Sequence, residues 1–145
     1  LPALILAGGR ARRLGGADKA LVPLAGRPLL AHVRERLAGQ AAPILVSANG
    51  DPARFARFNL EILPDTVAGY PGPLAGILAG LAHAEREGFP ALLTVAVDTP
   101  FFPEDLLARL SAAATAAPEN FAVAATRDPA GGVRVHPTFG LWPTR

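Results

Sequence analysis

The amino-acid sequence predicts an α/β fold built on a largely parallel sheet, and three observations predict it. Short, nearly continuous apolar runs recur along the chain, at Leu4-Ile5-Leu6, Ile44-Leu45-Val46, Leu92 to Val97 and Phe121 to Ala125. Strands covered on both faces read this way, so these four are expected in the centre of the sheet. Helical patterns fall between the runs, as crossover connections require. The chain has 145 residues, half of them hydrophobic and 18% charged, which suits one core and leaves little room for two domains.

Each element can be justified in order. After the first strand, Pro28 suits a first helical position, Leu30, Val33 and Leu37 recur at helical spacing, and Gly39 closes the helix. Leu60 to Leu63 alternates in polarity and is expected nearer an edge of the sheet. Leu74, Ile77, Leu78 and Leu81 form the apolar stripe of a second helix, which ends in a charged turn and Gly88. Pro103, Glu104 and Asp105 make an acidic first turn for a third helix carrying Leu106, Leu107 and Leu110. The stretch Ala112 to Ala117 continues as helix, and Val133 to Trp142 reads as another strand pair. His32 and His83 fall on polar helical faces and need no function there. The chain lacks methionine and stops after a strand, so the expectation is a single domain over residues 1–145, incomplete at both termini.

Composition excludes several classes. There is no cysteine, which removes disulfides, thiolate catalysis and Cys-ligated zinc or clusters. The net charge of +2 is too small to imply a nucleic-acid or membrane surface. No apolar run approaches the roughly 18 residues of a membrane span, and no signal-peptide pattern opens the chain, so a cytoplasmic protein is expected.

The informative segment follows the first strand: Leu6-Ala7-Gly8-Gly9-Arg10-Ala11-Arg12-Arg13-Leu14-Gly15-Gly16-Ala17-Asp18-Lys19. Four glycines let the backbone approach a ligand and turn its N–H groups toward an anion. Four cations against one carboxylate give this loop a charge of +3, larger than that of the whole chain. Triphosphate is the natural partner. The spacing matches neither the dinucleotide fingerprint GxGxxG nor the Gly-Lys-Ser/Thr of a P-loop. Lys19 is the only lysine beside 13 arginines, which suggests a site needing a compact ammonium rather than charge alone.

Several further pieces join this loop: Asp18-Lys19-Ala20-Leu21; Ser47-Ala48-Asn49; Asp65 followed by Gly72-Pro73-Leu74-Ala75-Gly76-Ile77; Asp98-Thr99-Pro100; and His136-Pro137 before Phe139 to Trp142. Together, in this order and over essentially the whole chain, they make the sequence resemble the nucleotidyltransferases of molybdopterin-guanine dinucleotide biosynthesis. The resemblance implies a Rossmann-like, three-layer α/β/α sandwich of the nucleotide-diphospho-sugar-transferase type, with a mostly parallel sheet. It implies transfer of GMP from GTP to the terminal phosphate of the molybdenum–molybdopterin cofactor, with pyrophosphate released and Mg2+ required. Its expected partners are these two substrates, with transient contacts to other molybdenum-cofactor proteins and recipient molybdoenzymes, and neither nucleic acid nor membrane.

Site residues follow from both arguments. Asp98 ends an apolar strand, where ligands of open α/β sheets gather; it suits a magnesium ligand or a turn cap, and the resemblance implies the metal. Arg12, Arg13, Lys19 and Asp98 are the expected catalytic set, neutralising charge as it shifts. Leu6, Ala7, Gly8, Gly9, Lys19, Asn49, Asp65, Gly72, Pro73, Leu74 and Asp98 are expected at the nucleotide. Asn49, Asp65 and the glycines also suit plain turns; the resemblance assigns them to GTP and places guanine near Gly72 to Gly76. His136 is carried over to the pterin side, although a histidine before proline can equally be structural. Trp142 reads as a packing aromatic.

Three other readings stay open. A CTP-dependent cytidylyltransferase of the same cofactor shares the loop, but such relatives usually carry Ala-Ala-Gly and Asp-Gln-Pro where this chain has Leu-Ala-Gly-Gly and Asp-Thr-Pro. A sugar-phosphate nucleotidyltransferase usually has sugar-binding inserts for which 145 residues leave no space. A nucleotide-binding module without catalysis is the third, and the intact Lys19 and Asp98 speak against it.

Overall fold

A computed structural model describes residues 1–8, 18–68 and 72–145. In chain order it contains β1 (Ala3–Leu6), β2 (Pro23–Leu24), β3 (Arg27–Pro28), α1 (Leu29–Ala38), β4 (Ile44–Ser47), β5 (Glu61–Leu63), α2 (Pro73–Arg86), β6 (Ala91–Ala96), α3 (Leu106–Ala116), β7 (Ala122–Arg127) and β8 (Val133–Pro143). Short 3-10 turns occupy Lys19–Leu21 and Pro52–Phe58. Six strands form one sheet in the order β5-β4-β1-β6-β8-β7, and β2 and β3 form a separate small hairpin. β1 pairs in parallel with β4 and β6, and β4 with β5, while β8 is antiparallel to both of its neighbours. The expected α/β class and mostly parallel sheet are therefore present.

Alternation along the central strand builds the layers. Ala3 and Ile5 face Leu30, Val33 and Leu37 of α1 and Leu106, Leu110 and Ala114 of α3. Leu4 and Leu6 face Ile77 and Ala84 of α2 on the other side. The result is helix, sheet, helix. Leu4, Ile5, Leu45, Leu92 and Leu93 are essentially inaccessible to solvent, and each such side chain contributes about 1.5–3 kcal/mol relative to exposure.

Four expectations need correction. The run from Phe121 to Ala125 is not central: β7 begins at Ala122 and is the outermost strand, with Phe121 just before it stacked on Trp142. Its apolar character comes largely from alanine, which tolerates the half-exposed edge and does not report burial on both faces. Val133 to Trp142 is not a strand pair but one long strand with two partners. One edge, Pro143 back to Gly140, pairs with β6, and the other edge pairs with β7 through Leu141 and Gly140 and again through His136 to Val133. Along the β7 edge the register jumps from Gly140 opposite Val123 to His136 opposite Ala124, a bulge in that ladder.

The third correction concerns helix starts. Pro28 belongs to β3 and precedes α1, and Pro103, Glu104 and Asp105 form a turn before α3 rather than its first turn. Asp105 flanks that helix without a side-chain cap, its carbonyl accepting from the Arg109 N–H at 3.0 Å. The fourth concerns α2. Its buried face is Ala75, Gly76, Ile77, Ala79, Gly80, His83 and Ala84, whereas Leu74 and Leu78 are exposed. His83, only 7% exposed, lies inward against Arg86 Nη2 (2.9 Å) and near Glu61 (3.7 Å), not on a polar face. The cause is close approach: a Cβ at Gly76 would strike the Ser47 hydroxyl, and one at Gly80 would lie 2.6 Å from Leu4 and 2.9 Å from Leu92. Small residues, not leucines, therefore face the sheet.

Candidate active site

The parallel strands β1, β4, β5 and β6 all end on one side of the sheet, and the singled-out residues of the described chain collect there. Lys19 lies in the 3-10 turn after the loop. Asp18 caps this turn, with Oδ1 accepting from the Ala20 N–H at 3.2 Å. Asp98 follows β6 by two residues. Although 79 positions separate them, Lys19 Nζ approaches Asp98 Oδ2 to 3.4 Å, and the Thr99 hydroxyl donates to Asp98 Oδ1 at 3.1 Å. The side chains are 43% and 49% exposed, so this pair adds little to stability. Its significance is chemical: a compact cation and a hard oxygen donor stand side by side, open to solvent.

A second polar unit forms at the ends of β4 and β5. Asn49 Nδ2 donates to Asp65 Oδ2 at 2.8 Å, and the Asp65 N–H donates to Asn49 Oδ1 at 2.9 Å. The pairing is reciprocal. It fixes the Asn49 amide and leaves Asp65 Oδ1 as a further acceptor. Gly72 leads into α2 with φ +98° and ψ −171°, a backbone state that glycine adopts without strain. Pro73 is the first helical residue, no side chain among the described residues caps the helix start, and Leu74 is 54% exposed. Among the described residues, the first-turn amides and an apolar side chain thus lie together at this helix start.

The other expected residues divide. Leu6 is buried with its side chain under α2 and its carbonyl accepting from the Val97 N–H at 3.2 Å, so it offers a nucleotide no side-chain contact. The Ala7 N–H donates to the Ser47 carbonyl at 3.0 Å. Gly8 is exposed, and a Cβ there would meet only ordinary contact with the Ser47 carbonyl at 3.7 Å. Gly9, Arg12 and Arg13 lie outside the described residues. His136 stands in the part of β8 that, by the antiparallel register, continues past the end of β6 on the Asp98 side; its Nε2 is 3.0 Å from the Thr126 hydroxyl. His32 is structural, with Nε2 donating to the Leu24 carbonyl at 2.7 Å.

Among the described residues no three His, Asp or Glu side chains cluster around a possible ion. Magnesium does not require such a cluster, since it is commonly held by one or two carboxylates together with substrate phosphate oxygens and water. Asp98, half exposed and carrying hard oxygen donors, fits that mode. A hollow of about 560 Å³, bordered by Arg27, Arg34, Glu35, Ile44 and Leu60, opens at the opposite end of the sheet. There the Arg27 hydrogen bond and charge hold the Glu35 carboxyl below the ordinary range.

One participant was missed by sequence reasoning. Arg54, in the turn after β4, donates from Nε to Asp18 Oδ2 at 2.6 Å and from Nη2 to the Asn49 carbonyl at 2.6 Å. Nothing in composition separates it from the other arginines. The available signal was its place one turn after a strand end, behind the turn-capping Asp51-Pro52 step.

With this geometry in view, comparison with known proteins is decisive at the family level. The model of the MobA-like NTP transferase domain matches residues 3–145. The chain belongs to that family. This MobA-like domain is 52% identical over 147 residues to the molybdenum cofactor guanylyltransferase of Bradyrhizobium sp. (strain ORS 278), covering all of this chain and 67% of that protein. It is 54% identical over 141 residues to the protein of the same name from Cereibacter sphaeroides, covering 97% and 67%. The domain thus spans about two thirds of the length of these relatives. The solved structure of molybdopterin-guanine dinucleotide biosynthesis protein A from Archaeoglobus fulgidus shares the fold, with a TM-score of 0.71 at 23% identity, over 99% of this chain and 68% of that one. No described helix of the MobA-like domain is long and apolar enough to cross a membrane.

Proposed function

We propose that the domain transfers GMP from GTP to the terminal phosphate of the molybdenum–molybdopterin cofactor, forming molybdopterin guanine dinucleotide. The observation that carries this reading is the approach of Lys19, the residue that closes the Gly-rich segment of the sequence, to Asp98, in a chain about half identical to proteins named guanylyltransferases. A terminal phosphate oxygen of the pterin attacks the α-phosphorus of GTP in line. The new P–O bond forms as the bond to the β-phosphate oxygen breaks, and that oxygen leaves with pyrophosphate.

Such a transfer depends on positioning and charge neutralisation rather than covalent catalysis. Asp98 would hold Mg2+ together with triphosphate oxygens, and the bound ion would offset charge on the leaving group. Lys19, with Arg12 and Arg13 from the loop, binds and neutralises the phosphates. Ala7, Gly8 and Gly9, which lead from β1 into the Gly-rich segment, belong to the phosphate side of this reading. Asn49 and Asp65 take the nucleoside, and the Gly72-Pro73-Leu74 turn lies against guanine. His136 stands on the pterin side. The reading includes a cytoplasmic setting and transient hand-off to other molybdenum-cofactor proteins and recipient molybdoenzymes.

The test is pyrophosphate release from molybdenum–molybdopterin with each nucleoside triphosphate and Mg2+. GTP should be preferred clearly. Preferential CTP turnover assigns the cytidylyl reaction instead, release only with a sugar phosphate assigns sugar transfer, and GTP binding without turnover assigns a non-catalytic module.

A further inference from the structure

We infer that Arg54 is a positioning residue that locks the phosphate-facing and nucleoside-facing halves of the site into one frame; the inference rests on the nucleotidyltransferase reading above. The guanidinium is itself firmly held. It lies 4.3 Å from the ring centroid of Phe55, which is buried in the core. Asp51 caps the turn that carries it, accepting from the Ala53 N–H at 2.9 Å. From this anchored position Arg54 uses all three nitrogens: Nε on Asp18 Oδ2, Nη2 on the Asn49 carbonyl, and Nη1 on the Asp51 carbonyl at 2.5 Å. With side chains 29% and 23% exposed, Arg54–Asp18 is the most shielded arginine or lysine ion pair among the described residues. A planar fork meets such a set of acceptors; an ammonium does not.

The consequences run both ways. Asp18 spends one oxygen on the Ala20 N–H and the other on Arg54, which sets the turn from which Lys19 extends to Asp98. On the other side, pinning the Asn49 carbonyl fixes the backbone from which its amide pairs with Asp65. Lys19, Asp18, Arg54, Asn49 and Asp65 thereby form a continuous series across the ends of β1, β4 and β5. A nucleotide that spans from Asp65 to Lys19 needs these two ends at one separation, and misplacement by about 1 Å costs on the order of a hundredfold in rate. Arg54 touches neither end directly. It acts through Asp18 and Asn49.

The test uses the 145-residue chain with Arg54→Gln, Arg54→Lys, Asp18→Asn and the double variant Asp18→Asn/Arg54→Gln. Arg54→Gln should raise KM for GTP and lower kcat, with a combined loss of about 30-fold or more in kcat/KM. Arg54→Lys should lose about tenfold, because charge without the fork is insufficient. The double variant should be no worse than the poorer single one, as expected for two groups acting as one unit.

A separate readout comes from the single lysine in the sequence. Acylation of the Lys19 peptide, followed by mass spectrometry, reports its ammonium directly. GTP with Mg2+ should slow this labelling about tenfold in the parent and by about twofold or less in Arg54→Gln, at concentrations saturating for each, because the ammonium no longer meets the phosphates. A purely structural role would lower melting temperature without changing that protection. Should Arg54→Gln fail to fold, Arg54→Lys and Asp18→Asn carry the same measurements. Kinetics and protection unchanged in the folded variants overturn the inference, as do simply additive losses. A parent that does not use GTP refutes the guanylyl reading; Lys19 protection by ATP, CTP or UTP then decides the role of Arg54 separately.

Discussion

Lys19 is one ammonium among 13 guanidiniums, and the structure gives this compositional oddity a location, 3.4 Å from the carboxylate of Asp98. An arginine there keeps the charge but spreads it over a wide plane instead of focusing it on one phosphate. Lys19→Arg should therefore lose about a hundredfold in kcat, the scale seen when a single charge-stabilising donor is removed, as measured by pyrophosphate release. Near-parental turnover would remove Lys19 from the reaction. Asp98→Asn keeps shape and removes the hard anionic donor. It should raise the Mg2+ concentration giving half-maximal rate by tenfold or more, on the order expected when one of few carboxylate ligands is lost. An unchanged metal requirement would take Asp98 out of the site. Type and position alone single out both residues, and the fold brings them together. Arg54 was not, because its partners include two backbone carbonyls whose direction exists only after β4 and its turn have folded.

At the scale of elements, legibility followed how strongly burial was written into residue type. β1, β4 and β6 are covered on both faces and announce themselves as nearly continuous apolar runs. The α2 helix departed from the pattern, because apart from Ile77 and His83 its buried side is glycine and alanine, while Leu74 and Leu78 are exposed. Hydrophobic periodicity locates the apolar stripe; it cannot report that the helix approaches too closely for a large side chain. Gly80 makes the point testable. Alanine there gains about 1 kcal/mol of helix propensity, yet its Cβ would press on Leu4 and Leu92 in the packed core, where overpacking costs about 1–3 kcal/mol. Gly80→Ala should be destabilised by about 1 kcal/mol net, and Gly80→Val by about 3 kcal/mol, read from urea midpoints at constant slope. A stabilised Gly80→Ala would show that α2 has slack against the sheet. The edge position of β7 and the double duty of β8 were illegible for a related reason: alanine and an interrupted apolar run fit several sheet environments equally well.

At the scale of the whole molecule, charge and site are both local. A net +2 conceals a loop of +3, and the residues assigned to the nucleotide come from the ends of four strands and the start of α2. A ligand that touches all of them binds only the folded chain, so its affinity appears as stability. At GTP and Mg2+ one hundred times above the dissociation constant, folding should gain about 2.7 kcal/mol. For a domain of this size that corresponds to a rise in melting temperature of about 5–10 °C, readable by calorimetry. Removing Mg2+ should shrink the gain in the parent and change it little in Asp98→Asn, because in the proposed reading the metal-dependent part passes through that carboxylate. Asp65→Asn should instead reduce the metal-independent part, since the nucleoside end does not depend on the ion. CTP at equal concentration should stabilise less than GTP, as the proposed reading sets the turn at Gly72 to Leu74 against the base. Equal shifts for both nucleotides would sever that turn from base recognition while leaving the phosphate half intact. A shift that ignores Asp65 and Asp98 alike would mean that the nucleotide binds elsewhere on the fold.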